Sequence, residues 1–181
     1  MRKWIGYYQN IVSHNICDEI INYSQNQKPL QPSTYSTSSG KSDRSKERVK
    51  MDDGWFRKGE KFYDDIRKSF QEVIRRYQEK HPDFVCQRHT DFRLNKYSYG
   101  GFMSRHVDNI HHSHGQEYGY PQVSSLLFLN DNYKGGQLKI SNTTYNTKKG
   151  SAIIFPSNFM FPHEVNLVTE GTRYSIVTWL M

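Results

Sequence analysis

Thiols are scarce in this chain: Cys17 and Cys86 are the only two among 181 residues. Two cysteines cannot build a disulfide framework, so the expected setting is reduced and cytoplasmic. Long apolar runs are missing too. No stretch approaches the roughly 20 apolar residues that cross a bilayer, which argues against a membrane partner. The opening MRKWIGYYQNIV lacks the continuous apolar segment of a signal peptide. Hydrophobic residues make up only 35% of the chain, but 13 Tyr, 10 Phe and 3 Trp can fill a core. The simplest organisation is therefore one globular domain over residues 1–181, with no internal repeat.

Acidic residues are outnumbered, 18 against 25 Lys and Arg, which leaves a net charge of +7. Such a balance raises the question of a nucleic-acid partner. The basic residues are scattered, however, and their one concentration, KSDRSKERVK at 41–50, has acids interleaved. Solubility is the better reading, and nucleic acid ranks well below it.

Ser13 is a good N-cap, and Ile16, Cys17, Ile20 and Ile21 recur at helical spacing, which predicts a helix over about 14–25. Residues 27–54 carry almost no aliphatic side chains and are too long for an ordinary connection, so they read as a functional loop or as disorder. Phe62, Ile66, Phe70, Val73, Ile74 and Tyr77 then form one stripe, predicting an amphipathic helix over about 60–80 that ends at His81-Pro82. After it the pattern changes. FRLNKYSY, QVSSLLFLN, GQLKIS, GSAIIFP and TRYSIVTWLM are short, aromatic or β-branched, and punctuated by Gly-Gly, Asn-Asp and Lys-Lys-Gly. Several strands after two helices suggest a sandwich or jelly roll backed by helices.

Histidine followed two residues later by aspartate occurs three times. On a strand, residues i and i+2 share a face, so an imidazole and a carboxylate can converge on one ion. His81-Pro82-Asp83 contains proline and reads as a helix stop. His89-Thr90-Asp91 reads as a solvated strand face. His106-Val107-Asp108 follows the Gly100-Gly101 turn and is the strongest of the three. Far along the chain a lone His163 follows Pro162, and Arg173 opens a strand on which Arg173, Ser175, Val177 and Trp179 share one face. Polar groups at one end of that face and apolar groups at the other suit the inside of a small barrel with an anion held near its mouth.

Together, RHVDN (105–109), LFLND (127–131), GGQL (135–138), PHEV (162–165) and TRYSIVTW (172–179) resemble the iron(II)- and 2-oxoglutarate-dependent dioxygenases, and most closely the prolyl 4-hydroxylases. The resemblance covers about residues 92–181. It implies a mainly β fold with flanking helices: a double-stranded β-helix (jelly roll, cupin-like) core over about 86–181, with N-terminal helices and a mobile loop in about 1–85 packed on it. It makes His106, Asp108 and His163 the iron ligands, and Arg173 the partner of the far carboxylate of 2-oxoglutarate. Tyr97, or in its place the neighbouring Tyr99, would line the cosubstrate pocket, with Ser175 as a further contact. Trp55, Tyr99 and Trp179 are candidates for substrate contact, Trp55 as the anchor of a covering loop over 33–54.

The implied reaction uses Fe(II), 2-oxoglutarate and O2, with ascorbate as reductant. It hydroxylates a C–H bond, here a prolyl residue in a peptide or protein at carbon 4, and releases succinate and CO2. Val177, Trp179, Ile154 and Leu127 would keep water out. The Gly turn before His106 is about one residue shorter than in the oxygen-sensing branch of the family, and Phe128 stands where that branch has a second cosubstrate tyrosine. His111, His112 and His114 are assigned to the loop leaving the strand. Two rival readings remain: the same chemistry on a nucleic-acid base or free amino acid, or a non-catalytic metal- or peptide-binding module.

Overall fold

The structure, a computed structural model, describes residues 2–36, 42–43, 47–109 and 120–181. Helix α1 spans His14–Asn26, and the Ser13 hydroxyl accepts the N–H of Ile16 at 3.3 Å. That bond satisfies one of the amides that a helix start leaves without a partner. Ser13→Ala is expected to lower unfolding stability by about 1 kcal/mol. Urea denaturation checks this as a shifted midpoint at unchanged slope.

Helix α2 spans Tyr63–Lys80 and buries Ile66, Phe70, Val73 and Tyr77 along one stripe. It begins later than the spacing alone suggests because Phe62 takes a left-handed backbone conformation, φ +68°. It ends at His81 because the following proline disfavours helical backbone there. The His81 ring packs against Trp4 and Tyr77, so the first His-x-Asp is indeed a helix end.

Two antiparallel sheets form the jelly roll expected from the sequence. The larger orders its strands as Gly6–Tyr8, Ala152–Pro156, Val123–Phe128, Arg173–Leu180, Phe92–Tyr97, Asp52–Phe56 and Gln31–Pro32. The smaller orders them as Thr143–Tyr145, Leu138–Ile140, His163–Val165, Phe102–His106 and Val49–Lys50. One core lies between the helices and the outer face of the larger sheet, where Ile20, Ile66 and Phe70 meet Phe92, Leu94, Leu127 and Ile176. The second lies between the sheets and joins Tyr97, Leu126, Phe128, Phe155, Val177 and Trp179 to Leu138, Ile140 and Val165. With both faces covered, Val123–Phe128 and Arg173–Leu180 are buried at every position.

Two expectations need correction. Part of 27–54 is neither loop nor disorder. Gln31–Pro32 pairs with Asp53 and Asp52, Val49–Lys50 pairs with Met103 and Phe102, and Asp52–Phe56 pairs along Phe92–Lys96. The N-terminal 85 residues therefore complete both sheets instead of only packing on them. The sequence hid this because these strands are short, polar and at or near sheet edges, where no apolar alternation is needed. The second correction concerns water exclusion. Leu127 and Ile154 belong to the helix-side core, and their strand neighbours Leu126, Ile153 and Phe155 face the space between the sheets. A strand that is apolar throughout gives no sign of which face is which.

Candidate functional site

His106 closes its strand and His163 opens another, and the two are directly opposed in the register of the smaller sheet. Their rings lie 4.2 Å apart, centroid to centroid. Asp108 is not on the strand. It lies in the bend just after it and turns its carboxylate back between the imidazoles. Asp108 Oδ1 is 3.4 Å from His106 Nε2 and Oδ2 is 3.4 Å from His163 Nε2. The three ligand atoms all lie within 4.8 Å of one another, a group that could hold one metal ion.

The surroundings prepare these atoms for a cation. His106 Nδ1 sits 2.8 Å from the Ser104 carbonyl oxygen, and His163 Nδ1 sits 3.2 Å from that of Phe161. A carbonyl only accepts, so each Nδ1 carries a proton, and in the neutral ring each Nε2 presents a lone pair inward. Asp108 and His163 are only 9% and 5% exposed. Burial works against the Asp108 charge, but His163 and His106 outweigh it and hold the carboxyl well below its usual range. Burial, reinforced by His163, pushes His106 down. Burial also opposes charge on His163, yet Asp108 prevails and pushes that ring up.

Ser124 donates to Asp108 Oδ2 at 2.6 Å and lies 2.8 Å from the Ser157 hydroxyl. Sequence reasoning missed both serines. For Ser124 the available signal was the Ser124-Ser125 pair inside an otherwise apolar strand, since buried hydroxyls need partners; Ser157 lies just past the end of Ala152–Pro156 and left no such sign. Ser124→Ala is expected to weaken metal binding about tenfold to a hundredfold. Calorimetric titration with zinc checks it, and an unchanged affinity would show that Ser124 does not orient Asp108.

Arg173, wholly buried, opens the central strand. Its guanidinium lies against Tyr97, its cross-strand partner, at 5.0 Å and against Phe128 at 5.5 Å. Nη1 donates to Ser175 Oγ at 2.9 Å, while Nε and Nη2 are buried with no partner. A cation in that state is costly unless an anion meets it. Phe128 thus supplies a ring face where a tyrosine would supply a hydroxyl, and Ser175 takes up one donor. Burial raises the Tyr97 pKa although Arg173 pulls the other way, so its phenol stays protonated.

The Gly-Gly pair explains how this arginine is accommodated. Gly136 has φ +62°, and a Cβ there would come within 3.1 Å of Arg173 Cδ. The preceding Gly135, φ +72°, passes so close to the Leu167 carbonyl that any side chain would clash.

Of the other candidates, Trp179 is buried in the inter-sheet core with Trp55 partly buried beside it, their rings 6.2 Å apart. Tyr99 lies beyond its strand's end at the Gly100 turn, 74% exposed, and is not brought to the buried group. His89 is exposed, stacks on Phe92 at 5.3 Å and does not join the metal cluster. His111, His112 and His114 fall outside the described residues.

Residues 92–181 match the model of the 2OG-Fe(II) oxygenase superfamily. A PKHD-type hydroxylase of Rippkaea orientalis is 40% identical over 93 residues, 48% of this chain and 40% of that protein. Another from Stenotrophomonas maltophilia is 31% identical over 127 residues, 64% of this chain and 55% of its own length. The matched stretch is thus well under two thirds of either relative. Among solved structures, a prolyl hydroxylase of Trichoplax adhaerens, in complex with a hypoxia-inducible-factor oxygen degradation domain peptide fragment, superposes with a TM-score of 0.77. The two are 19% identical, with 99% of this chain and 84% of that one covered. A Pseudomonas putida prolyl-4-hydroxylase gives 0.72 at 16% identity, covering 98% and 91%. These likenesses extend the shared fold over nearly the whole chain.

Proposed function

Because residues 92–181 belong to the 2OG-Fe(II) oxygenase superfamily, we propose that this protein is an iron(II)- and 2-oxoglutarate-dependent dioxygenase that hydroxylates a prolyl residue of a peptide or protein at carbon 4. One observation carries the reading: a largely buried two-histidine, one-carboxylate cluster is accompanied by a buried arginine with two donors still to be met. A pure metal binder has no use for the second feature.

The donor set fits the group. Two imidazoles and one carboxylate are a donor set that would hold an iron(II) ion from one side and leave it open to further ligands. Iron(II) with 2-oxoglutarate and O2 supplies the oxidation of an unactivated C–H bond, with succinate and CO2 released and ascorbate as reductant. The chain supplies the rest. His106, Asp108 and His163 hold the ion. Arg173 binds the far carboxylate through Nε and Nη2, which form the planar fork that a carboxylate matches. Ser175 fixes the guanidinium's remaining nitrogen, Nη1, and Tyr97 offers its phenol to the same pocket. Leu126, Phe155, Val177 and Trp179 exclude water in place of Leu127 and Ile154. Trp55 and Trp179 are assigned to substrate, and so is Tyr99, which is exposed and away from the buried group.

The setting proposed is the cytoplasm, where both cysteines remain free. Burial pushes the Cys17 thiol up to about 11, which removes it as a nucleophile. No described helix is long and apolar enough to cross a membrane.

The test is incubation with iron(II), 2-oxoglutarate, ascorbate and proline-containing peptides, followed by mass spectrometry. Peptides gaining one oxygen atom on proline, with matching succinate, are expected. Succinate formation with oxygen on another residue would refute the prolyl assignment, and no succinate under any condition would refute the oxygenase reading.

A further inference from the structure

The inner face of the larger sheet carries one cation that this mechanism does not use. Arg93 shares a face with Asn95 and Tyr97, and in register it stands between Trp55 and Val177. Its guanidinium lies over the Trp179 ring at 4.9 Å. Trp179 is in turn the cross-strand partner of Ser124, whose hydroxyl holds Asp108. A continuous strip therefore runs from Arg93 to the metal cluster.

Two observations say this strip is built for a ligand. Arg93 Nε is buried without a hydrogen-bond partner, and among the described residues no carboxylate pairs with this side chain. Asp53 stands on the same face one row away and is not bonded to it. Two residues on, Asn95 is 3% exposed and its Oδ1, an acceptor, also lacks a partner, so it calls for a donor elsewhere on the same ligand and not for the anion itself. An arginine that only covered a tryptophan would keep its nitrogens in water, whereas a buried donor left unmet costs the hydrogen bond it lacks. Lysine or leucine would cover the ring as well without that cost.

We propose that Arg93 recognises an anionic group of the substrate, a carboxylate carried close to the carbon that is oxidised. The proposal rests on the oxygenase reading and narrows its substrate. Two sources share this chemistry: an acidic side chain next to the target residue in a peptide, or the free carboxylate of the target residue itself.

The test uses the whole protein loaded with zinc, which supports no turnover, and saturated with 2-oxoglutarate so that Arg173 is occupied. Calorimetry then compares N-acetyl-L-proline with its amide, and capped Ala-Glu-Pro-Ala with capped Ala-Gln-Pro-Ala. At least one acid should bind about tenfold or more tighter than its neutral twin. The pair showing the preference identifies the source. Arg93→Met should level acid and amide, and Arg93→Lys should keep part of the gap. Because the readout is a ratio within each variant, a general loss of packing around Trp179 lowers both numbers and leaves the ratio untouched. Acids and amides binding alike, no binding by either pair, or a preference that survives Arg93→Met would each overturn the proposal. Should 2-oxoglutarate itself fail to bind, the oxygenase reading fails separately. The acid-to-amide ratio without it, in wild type against Arg93→Met, still decides the role of Arg93.

Discussion

His163→Ala is expected to reduce 2-oxoglutarate-dependent succinate formation to that of the metal-free protein while the fold survives. The physical reason is geometric. His163 Nε2 is one of three atoms within 4.8 Å of one another, and its ring is set by the Phe161 carbonyl and by the edge of Phe155 at 4.9 Å. Truncation removes one ligand of three and leaves Asp108 buried with one fewer partner. The stability change should stay within about 0.5–3 kcal/mol, because a small ring is lost at the end of a short strand and the central cores are untouched. Circular dichroism and a thermal melt separate this outcome from unfolding. Succinate formation unchanged in a folded variant would show that His163 is not a ligand.

Arg173→Met should raise the 2-oxoglutarate concentration needed for half-maximal binding by about a hundredfold or more. Each charge-assisted hydrogen bond contributes about 1.5–3 kcal/mol, and Nε and Nη2 offer two. The same substitution should leave metal binding intact. It should also not destabilise the ligand-free chain, since an apolar side chain of similar length replaces a buried cation with unmet donors. The sign of the effect therefore depends on the ligand. Saturating 2-oxoglutarate at about a hundred times its dissociation constant should stabilise the wild type by about 2.7 kcal/mol and the variant hardly at all. Arg173→Lys should fall between, with charge but no fork. An unaltered 2-oxoglutarate requirement in Arg173→Met would move the anchor to another residue.

The parts of this fold that the sequence made legible are those where periodicity and chemistry coincide. The stripe from Ile66 to Tyr77, the Ser13 cap and the five apolar strands each leave a local pattern, and each appears as an element. The triad was visible because His-x-Asp, a distant histidine and an arginine occur in a fixed order. Their convergence, however, is made by pairing between strands: His106 opposes His163, and Arg173 opposes Tyr97. Residues that act through long-range register left weaker traces. Ser124 supports Asp108 from a strand in the other sheet, and Gly136 makes room for a side chain 37 positions later. The short strands Gln31–Pro32 and Val49–Lys50 are set by their neighbours' edges more than by their own composition. The face assignment of Leu127 and Ile154 failed for a related reason, because burial on both sides erases alternation.

The central claim is that three side chains and one guanidinium, drawn from both sheets, form one site for a metal ion and a dicarboxylate. The most direct measurement is a crystal structure of the wild-type protein soaked with zinc and 2-oxoglutarate. It should show a single ion about 2 Å from His106 Nε2, an Asp108 oxygen and His163 Nε2, with the far carboxylate on Arg173 Nε and Nη2. An ion bound elsewhere, or a dicarboxylate that leaves Arg173 without an anion, would contradict it.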